Sequence, residues 1–205
     1  MHKQYLRNVK ISGTGSYVPE KILTNIELEK MIDTSSKWII DTLGIHERRI
    51  AGSNESTSDL AAKAGLKAIE SAGLTAKDID LIIVATATPD RMAPSTAAIV
   101  QDKIKAVNAV AFDISAVCSG FLFAMSVASQ YITSGIYDNV LVIGADVFSR
   151  ITDWTRRDAV FFGDGAGVVL LEPNEEGLGI QDFILRSDGS GREFLVQPAG
   201  GSAMP

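Results

Sequence analysis

The sequence predicts an α/β fold, a layered domain built around a mainly parallel mixed sheet. Helical and extended segments alternate from residue 58 to 172, as they do in chains that form βαβ units. The extended segments are continuous apolar runs such as "LIIVA", which are typical of strands covered on both faces. Of the 205 residues, 46% are hydrophobic and 21% are charged, so the chain can bury a full core.

The first 57 residues predict short elements. Residues 9–13, "VKISG", are predicted to form the first strand, and "YVPEKILTN" a turn region. A helix over 26–31 and a second helix that begins near Thr34 and ends at Gly44 follow, since capping residues precede both and glycine suits a helix end. The polar, glycine-containing segment "ERRIAGSNEST" predicts a loop.

From residue 58 onward the pattern is regular. The predicted helices are residues 58–71, "PSTAAIVQDKIKA" and residues 120–134. The predicted strands are "LIIVA", "AVAFDIS" and "NVLVIGA", followed by "AVFFGDGAGVVLLEP" as one long strand or as two strands broken at the glycines. A last strand is predicted in "GIQDFILRSDGS". Helices that alternate with apolar strands place this part of the chain in the layered α/β class.

Charge and cysteine content argue against several classes of protein. The 25 acidic and 19 basic residues give a net charge of −6, which offers no overall attraction to nucleic acid or anionic lipid. No apolar stretch approaches the roughly 20 residues of a membrane helix, and the N-terminus lacks the pattern of a signal peptide. One cysteine cannot form an internal disulfide, which favours a reducing compartment. We therefore expect a cytoplasmic protein without a nucleic-acid or membrane partner.

The only cysteine, Cys118, lies where the strand "AVAFDIS" gives way to a long helix. Strand ends and helix N-termini are where such sheets place ligands, and free N–H groups there favour a thiolate. The helix dipole contributes only about 0.3–1 kcal/mol, so a base or further donors would have to help a nucleophile. A buried, inert cysteine is an equally good interpretation of the position alone, because free cysteine packs like a small hydrophobe.

Other candidate residues give weaker signals. Neither His2 nor His46 lies in a sequence pattern typical of a Cys–His pair, and we expect both to be solvated surface histidines. The sequence also has no spacing of Cys and His residues that is typical of a metal site. "GTGSYVP" and "FGDGAG" resemble phosphate loops, but neither precedes a helix, so the glycines predict close backbone approach or a bulge. Trp38 could stack on an aromatic ligand, although a partly buried structural tryptophan is the commoner case.

Six motifs together carry a family resemblance. The chain resembles the N-terminal portion of β-ketoacyl-acyl-carrier-protein synthase III, a thiolase-fold condensing enzyme, through "GTGSYVPEKILTN", "DTSSKWI", "ATATPDRMAPS", "DISAVCSGFLFAMSVASQYITSG", "FGDGAG" and "SDGSG…PAGGSAMP", in this order. The resemblance implies a thiolase-like fold, αβαβα when complete. It implies that residues 1–174 form the N-terminal half, which bears the nucleophile, and that residues 175–205 start an incomplete C-terminal half.

The resemblance implies an acyltransferase. Cys118 would take an acyl group from acyl-CoA, a substrate rather than a cofactor. The acyl-enzyme would condense with malonyl-acyl carrier protein and lose carbon dioxide, which initiates fatty-acid synthesis. The family acts as a homodimer, and its catalytic His and Asn come from the second half of the fold. Neither His2 nor His46 matches that histidine, so we expect the 205-residue chain alone not to condense substrates.

The coenzyme A site of the family is only partly matched. Thr34 and Trp38 match it, but Thr42 stands where the family usually has an arginine. The arginine that closes over the adenine should lie in "WTRRD", where the chain is one residue shorter than usual. Both Arg156 and Arg157 are therefore candidates.

The primer specificity of the family depends on a loop that matches "RMAPS". Ala93 stands where acetyl-preferring members carry a large aromatic residue, in a loop that reaches the acyl pocket of the partner subunit. The resemblance therefore implies room for a primer longer than acetyl, because loss of a ring deepens an apolar pocket. Met92 is the neighbour that would refill this space.

Two alternatives to the primary-metabolism enzyme follow from the same residues. One is a synthase III-like enzyme of specialised metabolism, alkylquinolone or ester forming, which would use the same acyl-cysteine with another acceptor. The other is a non-catalytic scaffold subunit that keeps the fold for association. The intact Cys118 argues against the scaffold, since a degenerate subunit need not keep its thiol.

Overall fold

A computed structural model describes residues 7–177 and 179–205. The strands are β1 Asn8–Tyr17, β2 Lys21–Thr24, β3 Glu47–Ile50, β4 Leu81–Ala85, β5 Val110–Ile114, β6 Val140–Val147 and β7 Asp164–Asn174. The helices are α1 Asn25–Leu28, α2 Ser36–Leu43, α3 Thr57–Ser71, α4 Thr96–Ile104 and α5 Gly120–Thr133. None of these helices is long and apolar enough to cross a membrane.

Five strands form one mixed sheet in the order β1-β7-β6-β4-β5. β4 pairs in parallel with β5 and with β6, whereas β7 pairs antiparallel with β6 and with β1. All five residues of β4 are buried, as expected for a central strand covered on both faces. The predicted α/β class with a mixed sheet is confirmed.

Helices cover both faces of the sheet. Because side chains alternate along a strand, Ile82 and Val84 of β4 lie in one core with α3 and α4. Leu81 and Ile83 lie in the other core with α5. Each face of β4 therefore contributes fully buried side chains to a separate apolar layer, and this three-layer arrangement fixes where the strand ends emerge.

Most helix ends follow the capping signals in the sequence. Ser35 caps α2 through a hydrogen bond from the Trp38 N–H to its Oγ, and Gly44 ends the helix at φ 70°. Ser95 caps α4 in the same way. The first helix is shorter than predicted: it spans Asn25–Leu28 and has a capping box at Thr24. Local hydrogen-bonding chemistry therefore placed the helix starts correctly.

Three parts of the prediction are wrong. The turn and loop regions near residues 21 and 47 contain β2 and β3, which pair with each other from Lys21↔Ile50 to Thr24↔Glu47. The residues "AVF" belong to a 3-10 turn, Arg157–Phe161, Phe162 follows that turn, and the long strand starts later, at Asp164.

The strand predicted in "GIQDFILRSDGS" is also wrong, because no strand forms in residues 179–188. A strand needs a continuous partner, and here the Ile180 N–H bonds to the Val9 carbonyl at 2.8 Å while Ile184 is 81% exposed. β7 ends at Asn174, and the division into 1–174 and 175–205 stays a prediction.

Candidate active site

Cys118 lies in the 3-10 turn Val117–Ser119, which joins β5 to α5, and it is exposed. The turn begins with Val117 at φ 46°, a left-handed conformation that is unfavourable for a β-branched residue. Gly120 starts α5 so close to β4 that a Cβ there would lie 3.3 Å from the Cβ of Ala85. Sheet and helix therefore fix the backbone on both sides of the cysteine.

A cavity of about 640 Å³ opens at Cys118. Its lining includes Ala87, Ser115 and Phe148, which follow the ends of β4, β5 and β6. The cavity therefore lies at the carboxyl ends of the three parallel strands, where open α/β sheets bind ligands. The buried, inert alternative does not describe this exposed cysteine. Its role as a nucleophile stays a prediction.

The cavity has an apolar wall and a charged rim. The rings of Phe148 and Phe162, which we call the aromatic wall, stack with centroids 5.1 Å apart and planes within 9°, and both line the cavity. Arg156 and Asp158 also line it and form an exposed ion pair of 2.9 Å. The hydrogen bond from Arg156 lowers the pKa of Asp158, so this carboxylate stays ionised. An apolar chain and a polar group could occupy different parts of this space.

Carboxylates at the strand ends hold the loops around the cavity. Asp146 Oδ1 accepts hydrogen bonds from the N–H groups of Ala87 and Thr88 at 2.8 and 3.1 Å. Asp113 accepts from the first two N–H groups of α4, each at 2.7 Å. Sequence reasoning missed both residues. The signal that was present is an aspartate near the end of an apolar strand, as in "AFDIS" and "GADV".

A second group of predicted site residues meets at the start of α2. The guanidinium of Arg157 lies 4.5 Å from the ring centroid of Trp38, within the range of a cation–π contact. Trp38 is half-buried, and the Oγ1 atom of nearby Thr34 is buried with no hydrogen-bond partner among the described residues. Of the two candidate arginines, Arg157 contacts Trp38, whereas Arg156 lines the Cys118 cavity.

Known proteins match this chain over most of its length. Residues 112–189 match the family model described as 3-oxoacyl-[acyl-carrier-protein (ACP)] synthase III. The chain is 54% identical to the β-ketoacyl-acyl-carrier-protein synthase III of Caldanaerobacter subterraneus subsp. tengcongensis, over 95% of this chain and 59% of that protein. It is 55% identical to the synthase III of Geobacillus kaustophilus, over 91% of this chain and 61% of that protein. The chain is similar to the N-terminal portion of β-ketoacyl-acyl-carrier-protein synthase III.

Solved synthase III structures share the fold. The enzyme of Pseudomonas aeruginosa PAO1 is 37% identical with a TM-score of 0.89, over 97% of this chain and 62% of that one. The enzyme of Thermus thermophilus is 38% identical with a TM-score of 0.86, over 96% and 63%. The thiolase-like fold class is confirmed. The chain spans 59% and 61% of the length of the curated relatives from Caldanaerobacter and Geobacillus.

The "RMAPS" loop lies apart from the Cys118 cavity. Met92 is 84% exposed and lines a second cavity of about 1160 Å³. Ala93 is exposed and lines neither cavity. The linings of the two cavities share Ala87, Ser115, Ile151 and Gln197. The loop therefore stands beside the Cys118 site without closing it.

The remaining polar candidates that the structure describes lie away from the Cys118 cavity. His46 and Thr42 are exposed, and His2 lies outside the described residues. In residues 7–177 and 179–205, no group of three or more His, Cys, Asp or Glu side chains is arranged to hold a metal ion. Neither Thr34, Trp38 nor Arg157 lines the Cys118 cavity. The structure thus groups the predicted residues into a cysteine cavity and a separate tryptophan–arginine contact.

Proposed function

We propose that the protein performs the acyl-transfer chemistry of a β-ketoacyl-acyl-carrier-protein synthase III. The observation that carries the proposal is the sole cysteine, exposed in a cavity of about 640 Å³ at the strand ends of a chain about half identical to proteins of that name. The Cys118 thiolate attacks the thioester carbonyl of an acyl-CoA, expels the coenzyme A thiolate and keeps the acyl group. Acyl-CoA is a substrate in this proposal, and no cofactor is needed.

Coenzyme A binding is proposed at the Trp38–Arg157 contact. The contact distance of 4.5 Å supports Arg157, rather than Arg156, as the arginine that closes over the adenine. The Oγ1 of Thr34, which is buried without a partner among the described residues, supports a hydrogen bond to the nucleotide, because a buried hydroxyl without a partner is unfavourable. Arg156 lies on the cavity rim, where it would face the pantetheine arm.

The second step is proposed to join the acyl group to malonyl-acyl carrier protein. Loss of carbon dioxide from malonyl leaves a carbanion that attacks the acyl-cysteine carbonyl, and the Cys118 N–H helps to stabilise the oxyanion. In the family a His and an Asn from the second half activate this step. Residues 175–205 are proposed to begin that half, so condensation is proposed only for a protein that carries both halves.

A homodimer is part of the proposal. β5 is the edge strand of the sheet, and Val110 on it is 49% exposed, which supports pairing with a second copy. The exposed loop with Met92 and Ala93 would then reach the acyl pocket of the partner, and the small Ala93 supports a primer longer than acetyl. A single free cysteine supports the cytoplasm as its location, with no nucleic-acid or membrane partner.

The alternatives are not favoured. The two curated relatives that are 54% and 55% identical are both named synthase III, which argues against an alkylquinolone- or ester-forming enzyme of specialised metabolism. A non-catalytic scaffold is disfavoured because Cys118 is exposed in a cavity rather than buried.

The test is the intact mass of the full-length protein after mixing with a panel of acyl-CoAs. We expect one acyl group per chain, located at Cys118 and absent from Cys118→Ala. The acyl-CoA chain length that gives the most adduct identifies the primer. An unmodified mass with every acyl-CoA, or an adduct that persists in Cys118→Ala, would contradict the proposed function.

A further inference from the structure

We propose that Asp164 is a positioning residue that holds the aromatic wall of the Cys118 cavity in place through Ser149. The aromatic wall consists of Phe148 and Phe162, which come from opposite sides of a β6–β7 connection. The inference concerns the shape of the cavity and does not depend on which thioester the protein uses.

The Asp164 carboxylate is held entirely by hydrogen-bond donors. It is 5% exposed and accepts bonds from the Ser149 N–H at 2.8 Å, the Ser149 Oγ at 2.6 Å and the Ala51 N–H at 2.6 Å. No ion pair involves Asp164 within the part of the chain that the structure describes. A buried charge is strongly unfavourable without such donors, so their geometry is tightly constrained.

Ser149 transmits this constraint to Phe148. It is the middle residue of the 3-10 turn Phe148–Arg150, and its carbonyl also accepts a bond from Trp154 Nε1 at 3.0 Å. The Phe148 carbonyl accepts from the N–H groups two and three residues beyond Ser149, at 3.1 and 3.0 Å. Val147, on the other side of Phe148, pairs with Asp164 in the sheet. The backbone on both sides of Phe148 is therefore fixed relative to Asp164, and the direction of the ring follows from the backbone.

The same aspartate fixes Phe162 from the other side of the wall. Only Gly163 separates the two residues, and a Cβ at Gly163 would lie 3.1 Å from the Cβ of Arg48 on β3. The chain therefore passes too close to β3 to shift in that direction. Asp164 is the anchor shared by both rings, which gives the "FGDG" motif a positioning role at the cavity.

The test measures the shape of the cavity without coenzyme A. Because Cys118 is the only cysteine, intact mass follows its alkylation alone. On the full chain, the rate of Cys118 alkylation by N-benzylmaleimide is divided by the rate with N-methylmaleimide. This ratio is then divided by the same ratio measured for the thiol of glutathione. We expect a normalised ratio above one, because the aromatic wall offers an apolar face to the benzyl ring. Phe148→Ala should lower it at least threefold.

The positioning role is tested by a double-mutant cycle. Asp164→Asn should also lower the ratio at least threefold, because an amide nitrogen cannot accept the bonds from Ala51 and Ser149. Ser149→Ala should lower it in the same direction. The double variant should go no lower than Asp164→Asn alone, since both changes break one connection.

The matched control is Asp80→Asn. Asp80 also accepts two backbone N–H bonds, from Asp138 and Asn139 at 3.0 and 2.8 Å, but it precedes β4 at the opposite end of the sheet. We expect this variant to keep the native ratio. An equal fall in Asp80→Asn, an unchanged ratio in Phe148→Ala or Ser149→Ala, or additive effects in the double variant would overturn the proposal. If Asp164→Asn does not fold, the milder Ser149→Ala decides alone.

Discussion

At both ends of the parallel strands an aspartate carboxylate accepts hydrogen bonds from backbone N–H groups, but one end is closed and the other surrounds a cavity. At the closed end, which is formed by Asp80, Asp138 and Asn139, the Asp80 carboxylate draws the start of β6 against the start of β4. At the cavity end, which is formed by the segments after β4, β5 and β6, Asp146 holds the N–H groups of Ala87 and Thr88. Here the segments surround an open space of about 640 Å³.

The difference shows how a stable sheet can keep one end open. Backbone N–H groups at a strand end need partners, and an open cavity removes neighbouring backbone that could supply them. A carboxylate near the strand end satisfies several N–H groups at once and leaves the space in front of them free. The cavity end therefore depends more strongly on its aspartates than the closed end does.

The largest expected effect is on stability. Asp146→Ala removes an acceptor of two backbone N–H groups and of the Thr86 and Thr88 hydroxyls, and should lower the free energy of unfolding by about 3 kcal/mol. Asp80→Ala removes two bonds in a more exposed place and should cost about 1 kcal/mol. Urea denaturation of both variants measures the difference. Equal losses would remove the distinction between the two ends.

The next effect is on ligand binding. Arg157→Ala removes the contact with Trp38, and we expect coenzyme A to bind about tenfold more weakly, in line with a cation–π contribution of about 1 kcal/mol or slightly more. Arg156→Ala is the matched control on the neighbouring residue and should change the affinity less than threefold. Isothermal titration calorimetry with coenzyme A gives both values. A larger loss of affinity in Arg156→Ala than in Arg157→Ala would show that Arg156, and not Arg157, contacts the adenine.

The smallest effect concerns acid stability. Hydrogen bonds from Lys63 and Tyr17 lower the pKa of Glu55 to about 2, from an ordinary value of 4.5. A lowered pKa stabilises the fold fully above the ordinary value, and this contribution is lost as the pH falls toward 2. Glu55→Gln should therefore cost less than about 1 kcal/mol at pH 7, since the pair is partly exposed, and nothing near pH 2. Thermal unfolding from pH 7 to 2 tests this; a difference that persists unchanged at pH 2 would contradict it.

The sequence predicted the layers well because their signals are local. The apolar run of β4 and the capping residues of α2 and α4 describe their own surroundings, and all three elements form where expected. β2 and β3 were missed because their pairing joins Lys21 to Ile50, and neither segment has the alternation or turn residues that announce a hairpin.

The sequence named candidate residues for the site, but it did not show how they are divided between the Cys118 cavity and the Trp38–Arg157 contact. The strand-to-helix position of Cys118 fitted a nucleophile and a buried, inert cysteine equally well, and the exposed thiol beside a cavity removes the buried alternative. Which of Arg156 and Arg157 contacts Trp38 needed coordinates, because two adjacent side chains can point to different places. The roles of Asp146 and Asp164 arise from donors more than ten residues away, and no short window of sequence contains both partners.

The cavity at Cys118 is assembled from pieces that are remote along the chain, from Ala87 through Ser115 and Phe148 to Phe194. Contacts of such long sequence separation close large loops, and they therefore form slowly and late during folding. A partly folded chain would present the thiol without its surroundings. The ratio of Cys118 alkylation rates with a bulky and a small maleimide should therefore reach its native value only when refolding is complete. The native sulfur atom then serves as the probe, and no fluorescent label has to be added.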